Sequence, residues 1–105
     1  MRLWHEDLIP KLPRPQLLGQ HRECCALRGN GWKKPHATVN YVFNYDYTRL
    51  FLYHYLIMKE MKQRGYRVSP EWLDPQYRGK VCEPHAEPID VDYEWLQQKD
   101  EPIYP

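Results

Sequence analysis

The chain has no apolar run long enough to cross a bilayer, and its opening residues lack the apolar stretch of a secretory signal. No membrane partner is expected. Cysteine is scarce, with only Cys24, Cys25 and Cys82. Adjacent cysteines rarely bond each other, an odd count does not suggest a disulfide framework, and no C-x-x-C pair occurs. Free thiols in a reducing cytoplasm are the expectation. A zinc site would have to be drawn from Cys24, Cys25, Cys82 and a histidine, without a recognised ligand spacing, so no metal is expected. There is no internal repeat, and Leu, Ile and Val are not abundant, so aromatic side chains must help build the core.

The sequence does have enough apolar content to fold: 42% apolar and 28% charged residues place it outside the disordered class. Its 105 residues fit a single domain, 1–105. Nine tyrosines and four tryptophans supply core volume and also suit surfaces that stack on bases. The net charge of +1 hides an asymmetry. Residues 1–37 carry seven basic against three acidic side chains, residues 38–81 seven against four, and residues 82–105 one against seven. An anionic partner would therefore meet the basic body and not the acidic tail. Charge alone is equally consistent with simple solubility.

The pattern predicts an all-α domain of a few helices around one long central helix, with an irregular proline-rich tail. Pro15 can open a first helix over 15–28, which Gly29 and Gly31 end. "GNGWKKPH" reads as an exposed loop carrying Trp32, Lys33 and Lys34. "ATVNYVF", 37–43, is β-prone but has no partner strand, so it reads as extended or buried loop. The segment from Asp46 to Gly65 is the central helix, apolar almost all round before residue 59, with Asp46 as its cap. Ser69 and Pro70 open a short turn, and "DVDYEWLQQK" a last short helix.

Two places suggest chemistry. A free α-amine titrates near pH 8, so roughly one in ten is neutral at pH 7 against fewer than about one lysine in a thousand. Leu3 and Trp4 can anchor the chain start and leave Met1 and Arg2 at a rim; a frayed end with a packed tryptophan is the plainer alternative. On the first helix, Glu23 is flanked on its face by the small residues Gly19 and Ala26, which leave room above the carboxylate. Arg22 points about a third of a turn away and can bind a phosphate. An ordinary solvated Arg–Glu pair is the competing reading.

The order "MRLWHEDL", "LLGQHREC", "PHATVNYVFNY", "MKEMKQRGY", "QYRG", "PHAE" resembles the pyrimidine dimer DNA glycosylases over nearly the whole chain. The matching motifs are Arg2 after the N-terminal residue, "HRE" at 21–23, His36 opening an aromatic segment, "RGY" at 64–66, "YRG" at 77–79 and "PHAE" at 84–87. The resemblance implies a compact α domain with DNA glycosylase and AP lyase activity, without metal or organic cofactor. It implies that the amine of Met1 forms a Schiff base with the sugar C1′, that Glu23 assists proton transfer, and that Arg2 and Arg22 hold the DNA backbone. Arg28, Lys33 and Lys34 complete the expected DNA-binding set, and the partner is double-stranded DNA carrying a lesion, with no obligate protein partner. The family exposes a threonine once its initiator methionine is removed, whereas here Arg2 follows Met1, so the amine is that of Met1 itself; the chain departs also at Gln16, where the family has histidine, at Ala26, where it has arginine, and in its short acidic tail. A non-catalytic nucleic-acid-binding relative and a small protein-interaction domain are the alternative readings.

Overall fold

The structure, a computed structural model, describes residues 2–34 and 39–104. Among them it is all-helical. Three α-helices, α1 (Arg14–Arg28), α2 (Tyr47–Gln63) and α3 (Tyr93–Gln98), alternate with three 3-10 helices at Glu6–Lys11, Asn40–Asn44 and Pro70–Leu73. The radius of gyration of 13.1 Å is that of one domain of about 100 residues.

Helix α1 opens on Pro13 and Pro15, whose missing N–H groups cost nothing at a helix start. It ends at Gly29, whose N–H bonds Cys25 O at 3.1 Å. A Cβ at Gly29 would stand 2.8 Å from Arg78 O, so this glycine permits the close approach of the 77–79 segment. The Arg78 side chain completes the end, donating to Arg28 O at 3.1 Å and Gly29 O at 2.9 Å, where a cation complements the helix dipole.

Helix α2 is the centre of the molecule. Leu50, Phe51, Leu52, Tyr53, His54, Ile57, Met58 and Met61 are all buried, so it is enclosed on several sides. Its stop is built from two backbone bonds, Gly65 N to Lys62 O at 3.0 Å and Tyr66 N to Met61 O at 2.8 Å, with Gly65 at φ +82°. Asp46 precedes the helix but makes no side-chain cap bond, and neither does Ser69 at the Pro70 turn. Asp92 does cap α3, accepting from Trp95 N at 2.9 Å.

Two further expectations are corrected here. Of the extended or buried loop expected over 37–43, the described part is buried in part but not extended: Asn40–Asn44 form a 3-10 helix. The three-residue period puts Val39 and Val42 on one side, and both are fully buried. With no strand among the described residues to receive their backbone, local i→i+3 bonds are the available way to satisfy it. Trp32 is not a loop-tip residue either. It is half-buried, edge-on to Phe43 (5.5 Å) and Tyr47 (5.0 Å).

The tail is irregular as expected, yet it is tied to the body. Ile103 is fully buried, its N–H bonds Glu6 Oε1 at 2.5 Å, and Arg49 Nη1 donates to its carbonyl at 2.7 Å. Lys99 pairs with Glu6 at 2.5 Å. The acidic tail thus packs beside the chain start, with Tyr104 edge-on to Tyr41 and Tyr45.

Candidate active site on the first helix

Glu23 lies on α1 and is buried, 8% exposed. Gln20 stands one turn before it on the same face. Gln20 grips the chain start with both ends of its amide. Its Nε2 donates to Arg2 O at 2.7 Å, and its Oε1 accepts from Trp4 N at 3.3 Å. From α2, Tyr53 Oη donates to Trp4 O at 2.7 Å and has Gln20 Oε1 at 2.9 Å. Leu3, between the gripped residues, is buried in the core. The chain start therefore crosses the Glu23 face of α1 in a defined register. Burial pushes the Tyr53 hydroxyl well above its ordinary pKa, which keeps it a neutral donor.

Arg2 is exposed, its guanidinium over the Trp4 ring at 4.9 Å. Arg22 is exposed one position before Glu23, and its Nη2 covers the open space over Gly19, at 3.7 Å from where a Cβ would stand. Next to the chain start is a recess of about 230 Å³ walled in part by Trp4, Tyr41, Tyr53 and Tyr104. Arg22 and Glu23 are thus neighbours on α1, and the backbone of Arg2 is held one turn before Glu23, at Gln20. Lys33 and Lys34 are exposed on the loop after α1, Lys33 in the left-handed conformation at φ 62°. Met1 and His36 lie outside the described residues.

Arg28 is a correction. It is not a surface residue for DNA but the largest fully buried side chain among the described residues. All five guanidinium N–H groups are used inside. Nε donates to Tyr47 Oη at 3.0 Å, Nη1 to His54 Nδ1 at 2.9 Å and Trp72 O at 2.8 Å, and Nη2 to Asp74 O at 2.8 Å and Tyr77 O at 3.2 Å. Phe51 and Trp72 face it at 5.0 Å. Among the described residues no carboxylate lies within ion-pair distance of it. It joins α1 and α2 to the 72–77 segment.

This contact fixes a short relay. Arginine only donates, so His54 Nδ1 must accept and the proton of neutral His54 sits on Nε2. That proton points to His21 Nδ1, 2.8 Å away. Burial, then Arg28, then His21 hold the pKa of His54 well below its ordinary value; burial, Arg22 and Arg28 lower that of His21. Cys25 Sγ lies 3.9 Å from Nε2 of both rings, and burial raises its thiol to about 11. His21, Cys25 and His54 are the one group of metal-ligating type among the described residues. Yet the Nε2 of His54 that faces the group already carries the proton, because Arg28 occupies the other nitrogen. The donor set fits a hydrogen-bond relay better than a cation. Cys24 is fully buried and Cys82 donates to Asn30 Oδ1 at 3.0 Å, so neither joins it.

Sequence reading does not single out Gln20, Tyr53 or His54. Gln20 and Tyr53 follow the helical spacing of core residues, and only the path of the chain start makes them polar anchors. A model of the family described as pyrimidine dimer DNA glycosylase matches residues 1–74. No curated protein and no solved structure gives a significant match.

Proposed function

We propose that this chain, which belongs to the pyrimidine dimer DNA glycosylase family, removes a damaged base from DNA and then cleaves the strand at the same sugar, with the α-amine of Met1 as nucleophile. The observation that carries this reading is the anchoring of the backbone at Arg2 and Trp4 across the face of α1 that buries Glu23. A nucleophile there needs no lowered lysine pKa.

In this reaction the amine lone pair bonds C1′ as the C1′–N bond to the base breaks, and the base leaves with that electron pair. Loss of an amine proton and opening of the sugar ring, with O4′ taking a proton, give an iminium at C1′. The iminium acidifies C2′–H. Its removal forms the C2′–C3′ double bond and expels the 3′ phosphate. Glu23 is the proton-transfer group, sited on a helix that fixes it. Arg22 next to it and Arg2 at the chain start, both exposed, suit the flanking phosphates. To reach C1′ the enzyme must draw the nucleotide out of the stack, which costs least at a damaged or abasic position.

Borohydride reduction on abasic and on dimer-containing duplexes tests the reading. An imine is reduced to a covalent protein–DNA adduct, whereas base release without adduct would leave a glycosylase that uses water.

A further inference from the structure

We propose that Gln20 and Tyr53 form a gauge for the chain start, setting how many residues extend beyond Leu3 and therefore which α-amine reaches the Glu23 site. This rests on the terminal-amine reading above.

The amide of Gln20 reads the carbonyl of residue 2 and the N–H of residue 4, at 2.7 and 3.3 Å. A neighbouring β-strand would bind the same pair of groups, so the amide acts as a one-residue strand partner. Such pairing has a period of two residues. A slip by one would carry Leu3 out of the core and turn Arg2 or Trp4 into its place. Tyr53 adds a second lock on Trp4 O at 2.7 Å. Both locking residues are buried, Gln20 6% and Tyr53 2% exposed, so water does not compete for these bonds. The arm that remains is short. One added residue displaces the amine by up to about 3.8 Å, while misplacement of a reacting group by 1 Å can cost about 10²-fold in rate.

A simple structural tether would hold the end without counting residues. The discriminating measurement is therefore the dependence of rate on chain length. Three starts are prepared by proteolytic release from a fusion: at Arg2, at Met1, and with one glycine before Met1. Single-turnover rates of borohydride-trapped adduct on abasic duplex are measured beside duplex affinity. The gauge predicts a sharp maximum at Met1, with a loss of about 10²-fold on either side and little change in affinity. In Gln20→Leu and Tyr53→Phe the rate at native length falls and the length dependence flattens to a few-fold. Tyr53→Phe keeps the ring in the core and decides the matter where Gln20→Leu does not fold. A flat length series in the unaltered protein, or a sharp one in Tyr53→Phe, overturns the gauge. Acetylation of Met1 separates the two claims: if the acetylated chain still forms adduct, the terminal-amine reading falls and the gauge with it. If acetylation blocks adduct but length has no effect, only the gauge falls.

Discussion

Arg28 Nη1 donates to His54 Nδ1 across 2.9 Å, and this bond decides which nitrogen of His54 holds its proton. It also places a permanent positive charge against a buried neutral imidazole. Protonating His54 would put a hydrogen on Nδ1 facing that donor. The cost of doing so is stability that the fold loses in acid.

The sign follows directly. His54 and His21 have folded pKa values below the ordinary 6.5, so below that pH the unfolded chain binds more protons than the folded one. Stability is full above about pH 6.5 and falls as the pH drops through that value. Urea unfolding at pH 7.5, 6.0 and 5.0 should show a midpoint that falls with acid. His54→Asn offers its amide oxygen to Arg28 in place of Nδ1 and cannot titrate. Its acid limb should be shallower, and an unchanged limb would remove His54 from the effect.

Arg22 and Arg28 make a contrasting pair. Arg22 is exposed at the candidate site, so Arg22→Ala should leave the fold intact and reduce the slope of log binding constant against log salt by about 0.9 if one phosphate contact is lost. The double change Lys33→Ala, Lys34→Ala should also reduce it. Arg28→Lys should act on stability instead. A lysine cannot reach the three carbonyls, the phenol and the imidazole together, and leaving several buried acceptors unsatisfied should cost more than about 3 kcal/mol. A salt slope altered by Arg28→Lys in a fully folded protein would contradict its interior role.

The difference between these two arginines explains how far the sequence could be read. The helices were legible because their signals are local: Pro15 and Gly29 bracket α1, Gly65 ends α2, and Asp92 starts α3. Arg22 and Glu23 stood out as neighbours on a helix. Arg28, six residues past Arg22, looks like the same kind of surface cation. Its burial depends on carbonyls from residues 72, 74 and 77, brought in by tertiary structure that no local pattern encodes. Gln20 is the converse case. It reads as an unremarkable polar residue on a helix, and it matters because the chain start passes over it.

The tail offers a further test of packing. Ile103 is fully buried, although the family match ends at residue 74. Ile103→Ala should destabilise by about 2–5 kcal/mol in urea unfolding, the range for a truncated core side chain. A change under about 0.5 kcal/mol would mean that the tail contributes nothing to the fold.

Glu23→Gln removes a proton-transfer group at nearly constant volume. It should keep duplex affinity while lowering single-turnover base release and strand cleavage by about 10²–10⁴-fold. Wild-type rates in this variant would exclude Glu23 from the chemistry.

The terminal amine is the centre of the account, and blocking it is the most direct test. Acetylation turns the amine of Met1 into an amide that is neither basic nor nucleophilic, and leaves every side chain in place. Borohydride trapping on abasic duplex should give a covalent adduct with the free chain and none with the acetylated one, at equal affinity for the duplex. An acetylated protein that forms the adduct at the normal rate would contradict the account and point to a lysine, with Lys33, Lys34 and Lys80 the first to replace.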